Sequence, residues 1–154
     1  MANRDHGSDF GIVLGLAYQG FVAHLHAHLA EHGFTEIAPT VGYVLRAIAD
    51  EPMNQRQLSR RLGITDQGAM KIVDDMERRR FVVRVPDPDD ARARRLELGP
   101  RGKELLRIAR RFHHSFERKL AAELGESVAT ARRVLEHIAA SAPGDATKGR
   151  LRPM

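Results

Sequence analysis

Three patterns in the sequence predict a mainly α-helical chain of six helices with one small β-hairpin. Apolar residues recur at three- and four-residue steps, in segments divided by Gly, Pro and capping residues. Between residues 81 and 98 the period becomes strand-like, around the turn-rich Pro86-Asp87-Pro88-Asp89-Asp90. Two short capped helices lead directly into that hairpin. The resulting order over residues 55–102 is helix, turn, helix, wing, a winged helix-turn-helix, with long terminal helices on either side to form a dimerisation region.

Length and charge agree with this. The 154 residues suffice for one domain with a real core, and 42% are hydrophobic. Twenty-five Lys and Arg against 20 Asp and Glu give a net charge of +5, which favours an anionic partner. Residues 54–102 hold 12 of those basic residues and 8 of the acidic ones, a net of +4, so most of the excess lies in the predicted winged helix. The absence of Cys excludes disulfides, thiol catalysis and Cys-based zinc sites, and suits the cytoplasm. Residues 10–30 lack any Asp, Glu, Lys or Arg. Their strongly apolar part, residues 10–23, is too short to span a bilayer, and the apolar spacing runs on into Leu25 and Leu29. The expectation is a cytoplasmic protein with no membrane partner.

Taken in order, residues 1–8 are polar and expected to be loose, and residues 9–140 form a single domain. The first helix, about residues 9–33, carries Phe10, Val13, Leu14, Ala17, Phe21, Leu25 and Leu29 as one stripe. Asp9 or Ser8 caps its start and Gly33 follows its end. A stripe this long exceeds what a small core needs, which makes the helix a dimer arm. The winged-helix lobe covers about residues 39–99. Pro39 suits a first helical turn, and Val41, Val44, Leu45 and Ile48 give that helix a buried face. Asn54 and Gln57 form a capping-box pattern for a helix with Leu58 and Leu62 inward, ended by Gly63. Ile64 packs inward and Thr65 caps the next helix, whose Ala69, Ile72, Val73 and Met76 share one face. Gln67, Met70, Lys71, Asp74 and Arg78 lie on the other. Strands follow at residues 81–85 and 95–98. Gly99-Pro100 starts a long helix with Leu105, Ile108, Ala109, Phe112, Phe116 and Leu120 as its stripe, broken by Gly125. Ser127 caps a last helix with Val128, Ala131, Leu135 and Ile138 on one side. Residues 100–140 are the second dimerisation segment, and residues 141–154 read as a mobile basic tail.

A helix that reads a major groove needs short polar side chains at its start, a basic residue one turn on and an apolar back. Thr65, Asp66, Gln67 and Lys71 in front of Ala69, Val73 and Met76 meet that need. Gln67 suits an adenine and Lys71 a guanine or phosphate. The start of the preceding helix offers backbone N–H groups to a phosphate beside Gln55 and Arg56. At the hairpin tip Arg92 and Arg94 are placed for a minor groove, where negative potential concentrates. A helix-turn-helix pattern alone is also that of any small helical domain, and Arg78-Arg79-Arg80 is equally a solvated helix end. The arginine-bearing tip favours double-stranded DNA as the partner.

These residues resemble the MarR family of bacterial winged-helix regulators over residues 10–140. The segments that carry the resemblance are QLSRRLGIT, DQGAMKIVDDMERRR, FVVRV and DPDDARARRLELGPRGKELL. The most specific element is Asp90-Ala91-Arg92 at the wing tip, followed by the returning strand and Gly102. The resemblance implies a homodimer, triangular in outline, whose terminal helices interleave while two lobes read a pseudo-palindromic operator. It implies groove-facing roles for Thr65, Asp66, Gln67 and Lys71, a minor-groove role for Arg92 and a wing-orienting role for Asp90. It puts Arg84 near the core of the wing, as a further candidate DNA contact. Three positions depart from the family's pattern. Arg80 stands where Gly usually follows the recognition helix, so a non-Gly residue occupies a left-handed turn at a cost of roughly 1 kcal/mol, or the turn differs. Leu98-Gly99-Pro100 replaces the usual Leu-Thr. Gly68 removes a side chain from the reading helix, leaving more of the binding to the wing tip and to phosphate contacts.

Of the eight histidines, His24, His28 and His32 share one helical face and His26 does not. Imidazoles at four-residue spacing can hold a zinc-like ion, which makes His24, His28 and His32 candidate ligands of a metal-responsive regulator. The family resemblance instead implies a pocket for a small-molecule effector between the first helices and the helix after the wing, with Phe21, His24, His28 and His113 as candidates. A polar end to a dimer interface explains the same residues without any ligand. Clustered imidazoles would also repel on protonation, weakening the dimer or its DNA binding between about pH 7 and 5.5. No cofactor is expected. No nucleophile–base pair, Gly-rich phosphate loop or His-Glu-x-x-His motif is present, so the chain is not expected to be an enzyme. Two function classes remain: an effector-responsive repressor, and a winged-helix interaction module without specific DNA reading.

Overall fold

A computed structural model describes residues 9–141. The expected loose start and all but Ser141 of the expected tail lie outside the described residues. The elements are α1 (Phe10–Glu31), α2 (Pro39–Asp50), β1 (Met53–Asn54), α3 (Gln55–Leu62), α4 (Asp66–Arg78), β2 (Val82–Pro86), β3 (Arg94–Leu98), α5 (Pro100–Leu124) and α6 (Ser127–Ser141). The six helices and the hairpin are those expected. The chain divides into two compact units, Met1–Glu36 and Ile37–Met154.

In the first unit α1 starts behind Asp9, whose carbonyl accepts from the N–H groups of Ile12 and Val13 while its side chain makes no capping bond. Gly33 follows the helix with φ of 81°, the left-handed conformation that ends helices cheaply. The apolar surface is wider than the expected stripe. Ile12 and Leu16 extend it around the helix beyond Val13, and all four of Phe10, Ile12, Val13 and Leu16 are exposed. A helix with so wide an exposed apolar surface calls for burial against something else. By length and composition alone, with a mean hydropathy of 1.3 in an 18-residue window, α1 would also pass for a membrane span.

The second unit holds the winged-helix core. α2 opens with Pro39 in its first turn and buries Val41, Val44, Leu45, Ala47 and Ile48. The capping box of α3 is complete: Asn54 Oδ1 accepts from the Gln57 N–H at 2.9 Å, and Gln57 Oε1 accepts from the Asn54 N–H at 2.8 Å. Gly63 ends α3 with φ of 68°. Leu58, Leu62, Ala69, Val73, Met76, Phe81, Val82 and Leu96 complete the buried set with the first half of α5, Leu105 to Phe112. The full burial of these side chains contributes about 1.5–3 kcal/mol for each large one.

A third strand, β1, was not expected. Two residues long, it pairs antiparallel with β3 (Met53 opposite Leu96, Asn54 opposite Arg95), giving the order β1-β3-β2. Residues 82–86 pair with 94–98 around the wing tip. The turn between α4 and β2 is left-handed at Arg80, with φ of 63°, so the departure from Gly is realised as strain and not as a different turn. The turn is clamped from α5. The Gly99 N–H donates to the Phe81 carbonyl at 2.8 Å and the Arg101 N–H to the Arg80 carbonyl at 3.2 Å. Gly99 and Gly102 are what let α5 approach: a Cβ on Gly102 would stand 2.1 Å from the Phe81 carbonyl oxygen.

α6 is bound to α5 by the Arg132–Glu117 ion pair at 2.6 Å and has no buried residue. Val134, Leu135 and Ile138 are exposed on it.

Candidate nucleic-acid interface

The turn between α3 and α4 is held by a cap that the sequence predicts and by a side-chain contact that it does not. Thr65 Oγ1 accepts from the Gly68 N–H at 3.0 Å, so this hydroxyl serves as the cap of α4. A Cβ on Gly68 would stand 3.1 Å from the same oxygen, so a side chain here would need the Thr65 hydroxyl to give by a few tenths of an ångström. Asp66 is turned back towards α3. The buried Ser59 hydroxyl donates to its carboxylate, and Arg56 Nε lies 3.8 Å away. Asp66 thus fixes the angle between the two helices and complements the positive end of α4. Ser59 carried no signal in the sequence, because a Ser mid-helix is ordinarily a surface residue.

With Thr65 and Asp66 so engaged, the outward face of α4 presents Gln67, Met70 and Lys71, all exposed. Met70 is 46% exposed, an apolar side chain in the middle of the polar face. Its position was legible from the helical period; its placement among the reading side chains was not assigned. An uncovered Met there is suited to the methyl group of a thymine.

Beside this face lies an open cleft of about 470 Å³, lined by Asn54, Gln55, Arg56, Asp66, Arg84 and Arg94 among others. It joins the start of α3, the start of α4 and the base of the wing. Gln55 spans it, its amide nitrogen 3.5 Å from the Asp66 carbonyl and its Oε1 accepting from Arg84 at 3.3 Å.

Arg84 is the best-anchored cation of the site. Its guanidinium donates to Glu77 and, at 2.6 Å, to Asp74, both on α4. Burial opposes its charge, but the hydrogen bonds and charges of Asp74 and Glu77 outweigh it and hold the pKa above the ordinary arginine value. Sequence reasoning put Arg84 among the DNA contacts. The structure commits its guanidinium to Asp74, Glu77 and Gln55, so it braces β2 against α4 and positions the wing.

At the wing tip the Asp90 carboxylate accepts from the Arg92 N–H at 2.9 Å, and its carbonyl from the Ala93 N–H at 3.0 Å. Asp87 accepts from the Asp89 N–H at 2.9 Å. These side-chain turns fix the loop and leave the side chains of Arg92 and Arg94 exposed. Gln55, Arg56, Gln67, Lys71 and Arg94 are therefore brought onto or beside one surface of the second unit, with Arg92 on the wing.

The other candidate residues lie elsewhere. Phe21, His24, His28 and His32 belong to the first unit. His113, on α5 in the second, accepts through Nε2 from the Arg46 guanidinium at 2.9 Å. Burial first, then the charges of Arg46 and His114, push its pKa below the ordinary histidine value.

Comparison with known proteins agrees with the fold. The sequence profile of the MarR family matches residues 35–93. No curated protein matches the sequence. Among solved structures, the transcriptional repressor CouR bound to a 23-mer DNA duplex superposes with a TM-score of 0.67 at 24% identity, over 90% of this chain and 98% of that one. The YusO protein of Bacillus subtilis gives 0.66 at 16% identity, over 92% and 100%. Wild-type MarR of E. coli gives 0.62 at 19% identity, over 84% and 96%.

Proposed function

We propose, from the match of residues 35–93 to the MarR family of winged-helix proteins, that the chain is a DNA-binding transcriptional repressor of that family. It acts in the cytoplasm as a homodimer on a pseudo-palindromic operator and releases DNA when a small effector binds. One observation carries the reading: the exposed Gln67, Met70 and Lys71 face of α4 is flanked, on one surface, by the cleft bearing Arg56 and Arg94. That is a reading helix in front of phosphate-binding groups. The uncovered apolar residues of α1 and α6 support the dimer. The DNA complex of CouR lends the same reading by analogy of fold.

Within this site Gln67, Met70 and Lys71 read bases, Arg56 and Arg94 hold phosphates, and Arg92 enters the minor groove. Asp66, Arg84 and Asp90 position these groups, and Thr65 caps the reading helix.

Selection of bound duplexes from a random pool, followed by fluorescence anisotropy on the selected duplex, tests it. A two-fold symmetric motif is expected, with affinity falling steeply with salt. Arg92→Ala weakens binding to all duplexes by about tenfold. Gln67→Ala costs about 1–3 kcal/mol at one base pair of each half-site and little elsewhere. Diffuse selection without symmetry would instead mark an interaction module that has kept the fold without reading DNA.

A further inference from the structure

We propose that the last turn of α1 is a binding site for a divalent transition ion of the zinc class, held by His28, Glu31 and His32. This goes beyond the DNA-binding reading and does not depend on it. One donor atom from each of the three residues lies within 4.8 Å of the others. The set differs from the histidine face read from the sequence. His24 is not among these donors, and Glu31 takes its place, because positions i, i+3 and i+4 converge on a single turn.

Four features suit this turn to such an ion. First, the donor set is two imidazoles and a carboxylate. That is the borderline-soft combination that zinc and its neighbours accept, whereas magnesium and calcium favour oxygen ligands throughout. His28 Nδ1 and Glu31 Oε2 are 4.0 Å apart. Donors around a tetrahedral zinc stand about 3.3 Å apart, so small side-chain rotations close the site, and Glu31, with its side chain 74% exposed, has room to make them.

Second, the ligand nitrogen of His32 is already selected. Its Nδ1 lies 2.8 Å from the His28 carbonyl oxygen. A carbonyl only accepts, so Nδ1 carries the proton and Nε2 keeps its lone pair. Metal-bound histidines are commonly oriented by this kind of bond to a backbone carbonyl. The His28 and His32 rings are 4.6 Å apart between centroids, held close by the same bond.

Third, the site is at the C-terminal end of a helix, where the helix dipole favours a cation. Fourth, α1 contains no Lys or Arg, so no fixed positive charge on the helix competes with the ion. Water fills the remaining coordination positions.

The test uses the full chain, stripped of metal with a chelator and without DNA, so its outcome is separate from that of the operator experiment. Calorimetric titration with zinc should show one site of this kind per chain. The His28→Ala/His32→Ala double variant should lose at least about tenfold in zinc affinity, Glu31→Gln less, and His24→Ala should match the parent. Cobalt(II) in place of zinc should give visible absorption bands that vanish in the double variant. Glu31 and His32 are exposed, so Glu31→Gln and His32→Ala singly leave the helix intact and serve if the double variant misfolds. Zinc affinity unchanged in these variants, or lost equally in His24→Ala, would overturn the site.

Discussion

The winged-helix lobe and α6 belong to the same compact unit and bury themselves very differently. In the lobe, α2 alone hides five residues, and Phe81, Val82 and Leu96 are closed off from solvent. α6 hides none, and Val134, Leu135 and Ile138 face outward. Burial is the main favourable term in folding. The lobe therefore carries its reason to fold within one chain, whereas the apolar face of α6 is left for the proposed homodimer to cover. The same holds for α1 taken by itself, with Phe10, Ile12, Val13 and Leu16 exposed. The proposed recognition and assembly surfaces thus lie in separate stretches of the sequence.

The sharpest way to break the lobe without touching α6 is Gly102→Ala. The added Cβ would meet the Phe81 carbonyl oxygen at 2.1 Å and Leu45 Cδ2 at 3.0 Å. The Leu45 side chain can turn aside, but the Phe81 carbonyl cannot yield without disturbing the clamp on the Arg80 turn. Overpacking of this kind costs about 3 kcal/mol, read as a lowered denaturation midpoint. A midpoint within error of the parent would mean that α5 does not pack on the turn as described. Leu135→Glu breaks the other side of the comparison. It leaves the lobe's buried residues unchanged and places a charge on the α6 face. Light scattering should then report the monomer mass at concentrations where the parent is a dimer, with the helical content kept. A dimer of unchanged stability would remove α6 from the interface.

Much of the lobe was legible because its signals are local. The Asn54–Gln57 capping box, Gly63 after α3, Pro39 at the start of α2 and Gly99-Pro100 at the start of α5 each sit within four residues of what they control. What escaped the sequence is non-local. β1 is only two residues long, and its partner Leu96 lies far along the chain. Ser59 meets Asp66 across the helix-turn-helix, and Arg84 on a strand meets Asp74 and Glu77 on a helix. The wider apolar surface of α1 was missed for another reason: the stripe was drawn from Phe10 and Val13 and left out Ile12 and Leu16 beside it. The candidate contacts Gln55, Arg56, Gln67, Lys71, Arg92 and Arg94 were legible from spacing and charge. That Asp66 and Arg84 serve to position them was not.

Arg80 lets the lobe be tested in the stabilising direction. Its φ of 63° strains a residue with a Cβ, while Gly33 and Gly63 take the same conformation at their helix ends without that cost. Arg80→Gly should stabilise the chain by roughly 1 kcal/mol, visible as a raised midpoint with an unchanged denaturant slope. A loss of stability would show that the Arg80 side chain supplies more than its backbone strain removes.

The smallest expected effect lies on α5, where its buried first half gives way to exposed residues. His113 follows Phe112, the last buried residue of that helix. Its Nε2 accepts from Arg46 of α2, which requires the neutral ring with its proton on Nδ1. Burial and the Arg46 and His114 charges keep its pKa below the ordinary histidine value in the folded chain. The unfolded chain therefore takes up this proton more readily. The contribution to stability is complete above about pH 6.5 and is lost as the pH falls through the folded pKa. Thermal midpoints measured from pH 7.5 to 5.5 should fall more steeply for the parent than for His113→Gln, whose amide oxygen accepts the same bond without titrating. Parallel profiles would show that this histidine does not couple the two helices to pH.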